Sequence, residues 1–182
     1  MSKKTIGLSL LFISFIAMFS FPFISNFIDK STQIIVKNSP KQPWFLNNEK
    51  EDYALVYFGY VGCSTVCILS LNEITDIYKD IDKQKINLPF YFVNINPSQS
   101  KELIKSFVKS FDKRFNGIYL SQNELEEIQK EFNLLIIENK IDITHSSNLY
   151  LFKKQKNEYK LHRIYITKPY DKELLLETIT SK

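Results

Sequence analysis

A single junction constrains this chain more than any other feature. Residues 53–58 form an unbroken apolar run, Tyr-Ala-Leu-Val-Tyr-Phe, of the length of a buried strand. Gly59 and Gly62, two of only four glycines, follow it and signal a tight turn. The only two cysteines, Cys63 and Cys67, come next. From Ile68 to Ile81 the apolar residues Leu71, Ile74, Ile77, Tyr78 and Ile81 recur at helical spacing. Strand, turn and helix in that order place both thiols where a helix begins.

That position carries chemistry. Free backbone N–H groups and the positive end of the helix dipole favour thiolate over thiol. Within a helix, residues i and i+4 share a face, with Cα atoms about 6 Å apart, near the long end of what a disulfide tolerates. The pair can therefore close a disulfide or hold one soft metal ion, and two sulfurs alone leave a metal site incomplete. The chain has two histidines. His145 lies in the polar stretch Asp142-Ile143-Thr144-His145-Ser146-Ser147, read as a loop before the apolar strand 148–152, and can turn toward a neighbouring loop. Asp142 reads as a solvated loop aspartate, with orientation of the ring through a hydrogen bond as the alternative. His162 falls inside a late strand and is committed to one sheet face. His145 is the better third ligand. The alternative, that the cysteines are small buried hydrophobes, suits a core stripe better than a turn and a helix start.

These residues carry a resemblance. Phe58-Gly59-Tyr60-x-x-Cys63-x-x-x-Cys67, a strand ending in Asn96-Pro97, and an isolated histidine followed by serine resemble the Sco (SenC) family. Its members are membrane-anchored, thioredoxin-like copper-binding proteins that assist assembly of cytochrome c oxidase. The similarity runs from about Trp44 to the C-terminal helix. It implies copper, Cu(I) or Cu(II), as the metal, with ligands falling on Cys63, Cys67 and His145. It also implies that cytochrome c oxidase, or another copper-receiving membrane protein, is the partner. The chain departs from the family pattern around the site. Ser64, Thr65 and Ile68 stand where the family usually has Pro, Asp and Pro, and Ile95-Asn96-Pro97 replaces Val-Asp-Pro, so the site has fewer carboxylates.

The remaining segments set the frame. After Lys3 and Lys4, residues 6–28 are strongly apolar and close to the length of a membrane span. We read 1–28 as an uncleaved signal anchor in the inner membrane. The lysines put the N-terminus in the cytoplasm and the rest on the periplasmic side. Residues 29–43 read as a polar tether, with Ile34-Ile35-Val36 a possible short strand or docking edge, and 44–182 as the domain. Within it, 88–96 reads as a strand, 100–111 as a helix capped by Ser98 or Ser100, Asn116-Gly117 as a turn and 118–120 as a short strand. Ser121-x-x-Glu124 is a capping box opening a helix that buries Leu125, Ile128 and Phe132. Residues 148–152 and 159–166 form a hairpin, and 171–180 the last helix. Alternating strands and helices predict an α/β thioredoxin-like fold, a mixed central sheet flanked by helices.

Composition removes several functions. Without Lys3 and Lys4 the net charge of +4 falls to +2, too little for nucleic-acid binding in the absence of an aromatic-basic patch. Neither a Gly-x-Ser-x-Gly elbow nor a His-Glu-x-x-His motif is present. Three functions stay open: copper binding and delivery; thiol–disulfide exchange with a partner's cysteines, with Cys63 as the attacking thiol; and a non-catalytic copper or redox sensing module. Enzymatic activity is expected only in the second.

Overall fold

The computed structural model describes residues 14–15, 33–36, 39–64, 66–138, 143–166 and 168–181. Most of the 1–28 leader lies outside this set, as do Thr65 and Asp142. Among the described residues no helix is long and apolar enough to cross a membrane. Residues 33–182 form one packed unit.

At its centre is a six-stranded mixed sheet. The strands are β1 (Gln33–Ile35), β2 (Tyr53–Gly59), β3 (Phe90–Asn94), β4 (Asn116–Ile118), β7 (Leu149–Gln155) and β8 (Glu158–Tyr165), in the order β1-β8-β7-β2-β3-β4. β2 runs parallel to β3, and β3 to β4; the pairs β2–β7, β7–β8 and β1–β8 are antiparallel. All seven residues of β2 are buried, as expected of a strand covered on both faces. Helix α1 (Val66–Lys83) leads from β2 toward β3 and buries Cys67, Ser70, Leu71, Ile74, Ile77, Tyr78 and Ile81, the stripe its spacing predicts. Helices α2 (Lys101–Lys109), α3 (Gln122–Phe132) and α4 (Lys172–Thr180) complete the layers. The mixed sheet with flanking helices is the expected α/β architecture.

Local signals hold at most helix starts. Ser100 caps α2, Asp171 caps α4, and the Ser121–Glu124 box closes reciprocally at α3. Two readings change. The spacing of Leu103, Ile104, Phe107, Val108 and Phe111 predicts one apolar stripe, but Leu103 turns outward and is 47% exposed. Asn116-Gly117 is not a turn but the start of β4, because Gly117 lies against α2: a Cβ there would meet Ile104 at 2.9 Å. Within 29–43 the short strand expected at Ile34-Ile35-Val36 forms as β1, and further along Ser39 Oγ accepts a hydrogen bond from the Leu161 amide at 2.6 Å. The packed unit therefore begins upstream of Trp44.

A second, two-stranded sheet sits apart in the topology. β5 (Ile136–Glu138) pairs antiparallel with β6 (Ile143–His145), and Ile136 lies opposite His145. His145 thus ends a short strand, where the sequence reads as loop. Two hydrogen-bonded residues precede it in register, which holds its backbone in place.

Candidate metal centre

Cys63 sits in the turn after β2, before α1 begins, and Cys67 in the first turn of α1. Helical i, i+4 spacing is therefore not what joins them. The turn is made by Gly62 at φ +99°, a left-handed conformation that favours glycine. The Cys67 amide then donates to the Cys63 sulfur at 3.4 Å. Gly59 makes the seat for the second sulfur. A Cβ there would lie 2.9 Å from the rings of Phe92 and Tyr57 and 3.0 Å from Cys67 Sγ.

A clamp that the sequence does not signal steadies the turn. The Gln99 side chain reaches from the segment before α2, accepts from the Val61 amide at 3.1 Å and donates to the Val61 carbonyl at 2.5 Å. Only a long-range contact reveals it, since glutamine at a helix start is unremarkable in sequence. Asn96 serves the turn after β3: its Oδ1 accepts from the Ser98 amide at 3.1 Å.

The third group arrives from 78 residues away. His145 Nε2 lies 3.4 Å from Cys67 Sγ. Its Nδ1 is 2.9 Å from the Ser146 carbonyl. A carbonyl only accepts, so Nδ1 carries the proton and Nε2 turns its lone pair toward the sulfurs. The ring stands edge-on to Tyr60 and Tyr57, at centroid distances of 5.9 and 6.5 Å. Tyr60 is thus packing for the imidazole. Cys63, Cys67 and His145 each offer a ligand atom, all within 4.8 Å of one another. A trigonal ion with bonds of about 2.3 Å needs ligand separations of about 4 Å, so small side-chain rotations close the set. Two sulfurs and one imidazole suit a soft monovalent ion such as Cu(I).

Electrostatics correct one expectation. The helix start does not yield a ready thiolate at Cys67, whose pKa is pushed up to about 12, first by burial and then by the neighbouring Cys63. Without a cation the site holds Cys67 as a thiol. A bound metal reverses that preference, since a coordinating thiol gives up its proton.

Comparison with known proteins follows the same lines. A model of the SCO1/SenC family matches residues 47–180. An SCO2-like protein of Rickettsia prowazekii is 28% identical over 109 residues, covering 56% of this chain and 53% of its own length. The chain spans about half the length of the curated relatives it matches. Among solved structures, copper-bound ScoI of Arabidopsis thaliana aligns with TM-score 0.61 at 18% identity, over 71% of this chain and 82% of that one. BsSco, described as a member of the Sco family of cytochrome c oxidase assembly proteins and as having a disulfide switch, aligns with TM-score 0.57 at 17% identity, over 81% and 91%. At these identities the structures speak for the fold.

Proposed function

The chain belongs to the SCO1/SenC family, and we propose that it binds one copper ion through Cys63, Cys67 and His145. In this reading copper is cargo: the protein delivers it to, or prepares the copper site of, cytochrome c oxidase. The observation that carries the proposal is the convergence of the three ligand atoms within 4.8 Å. Copper in a relative described as copper-bound supports the choice of metal, and the description of BsSco supports the choice of partner.

Each residue has a task. The two sulfurs hold the ion. His145 completes a three-coordinate set, locked by the Ser146 carbonyl in the tautomer that binds metal. Three ligands leave an approach for a receiving protein, and the imidazole is the neutral, more easily exchanged member. The leader 6–28 anchors the protein in the inner membrane, with the domain on the periplasmic side facing a membrane-bound acceptor.

Copper titration of the full chain tests this. One Cu(I) per chain is expected, and His145→Ala weakens it more than about 100-fold, exceeding the usual effect of losing a supporting outer residue. Unchanged affinity in His145→Ala ends the three-ligand site.

A second reading, thiol–disulfide exchange, draws on the neighbouring sulfurs and on the disulfide switch described for BsSco. Cys63 is the attacker, being 6% exposed against none for Cys67. The high Cys67 pKa speaks against rapid resolution by that thiol. Failure to turn over a model disulfide with both cysteines reduced would remove it.

A further inference from the structure

We propose that Lys168 is the counter-charge of the two-sulfur centre, a positioning residue that stabilises the thiolate pair and the monovalent ion it takes. The inference rests on the copper reading above and adds a residue outside the ligand set.

Charge balance states the need. Two thiolates, one monovalent ion and a neutral imidazole leave one net negative charge in a buried place, which is costly unless paired. The first turn of α1 holds no acidic residue, so nothing there adds to the negative charge, and a single nearby cation suffices to balance it.

Lys168 supplies that cation from the loop between β8 and α4. Its ammonium donates to the Val66 carbonyl at 3.1 Å, the residue immediately before Cys67. It also donates to the Ser70 hydroxyl. Ser70 is fully buried three residues beyond Cys67, on the same helical face. Its hydroxyl hydrogen goes on to the Val66 carbonyl at 2.7 Å. Two acceptors, themselves hydrogen-bonded to each other, thus fix the ammonium on the turn of helix that bears the second sulfur. A lysine head group otherwise stays mobile and hydrated. Burial works against its charge, while negative charge at Glu73 supports it, and thiolates at Cys67 and Cys63 would add to that support. Glu73 competes for the ammonium, but its carboxylate already accepts from the Tyr170 amide.

The same loop braces the histidine. Tyr170, buried at 3% exposure, donates its hydroxyl to the Ser147 carbonyl at 2.6 Å, two residues beyond His145. Residues 168–170 thereby touch both the cysteine helix and the end of the histidine strand.

The test compares Lys168→Met, which keeps the stem and loses the charge, with Lys168→Arg, which keeps the charge. In the full chain, Cu(I) affinity is measured by competition with a chromophoric chelator at low and high salt. Lys168→Met should bind about tenfold more weakly at low salt and show a flatter salt dependence. Lys168→Arg should stay near wild type, and the unfolding midpoints of both metal-free variants should match it. If wild type binds Cu(I) and Lys168→Met binds equally well, Lys168 has no such role and the copper reading stands. If wild type binds no copper, that reading falls and the counter-charge falls with it.

Discussion

Both histidines of this chain lie half-buried in strands, and only one of them faces possible ligands. His145 ends β6 with Nε2 3.4 Å from a sulfur and Nδ1 held by a carbonyl. His162 is the extra residue of the β7–β8 bulge: Leu151 pairs with Arg163 and Phe152 with Leu161, so His162 has no counterpart across the ladder. Its ring lies 6.4 Å from Tyr53. Burial first, then the charges of Arg163 and Lys153, hold its pKa below the usual histidine value. A cation approaching His162 meets two cations already there; one approaching His145 meets two sulfurs that can become anions. The difference teaches that neighbours of the right sign and softness, not the residue type or its secondary structure, make a histidine a ligand.

The widest gap between the two regions is the one named above, with His145→Ala loosening copper more than about 100-fold. Gly59→Ala comes next and acts at the His145 end alone. Its Cβ would press on two buried rings and the Cys67 sulfur, and overpacking of this kind costs about 2 kcal/mol. Urea unfolding of the metal-free chain measures it, and an unchanged midpoint would mean that the seat is soft.

The two ends should also fail at opposite edges of the pH scale. Cys67 has a folded pKa of about 12 against 9.0 for an ordinary exposed cysteine. Its neutral form is favoured by folding, so its contribution is full below pH 9 and is lost as pH rises toward 12. Relative to Cys67→Ala, which cannot ionise, the wild type should lose about 1.4 kcal/mol by pH 10. For His162 the sign is reversed. Its folded pKa is lowered, so its contribution is full above its unfolded pKa and fades as pH falls through the folded one. Denaturation of wild type and His162→Ala between pH 7 and 4 should show the difference shrinking with acid. Parallel curves would place His162 in water.

Smaller effects refine the picture. Gln99→Ala removes two hydrogen bonds to the Val61 backbone, and the looser turn should reduce copper affinity by a factor of about five, corresponding to about 1 kcal/mol. His162→Ala should leave copper affinity within about twofold of wild type. A larger loss there would show that the two ends communicate through β7 and β8.

Much of this was readable beforehand because it is local. The buried strand before Gly59, the stripe of α1 and the Ser121–Glu124 box are patterns of period or offset, and each can be satisfied by residues a few positions apart. Misreadings came where a distant contact overrode the local pattern. Asn116-Gly117 looks like a turn until α2 packs on Gly117, and Leu103 fits a stripe that the sheet does not cover. The pairing of Cys63 with Cys67 was expected from helical spacing, yet it is made by a turn and an amide–sulfur bond. Gln99 gave no signal at all.

The amino-acid order alone determined the strand–turn–helix junction, the two sulfurs on it and the α/β frame, since backbone preference and apolar spacing act over a handful of residues. Only the tertiary structure decided how close the favoured His145 comes to the sulfurs, that Cys67 is held as a thiol, and that Lys168 lies against the same helical turn. Those outcomes depend on burial and on charges brought together from positions 78 and 102 residues apart in the chain, and electrostatic energy is set by distance in space, which sequence separation does not encode.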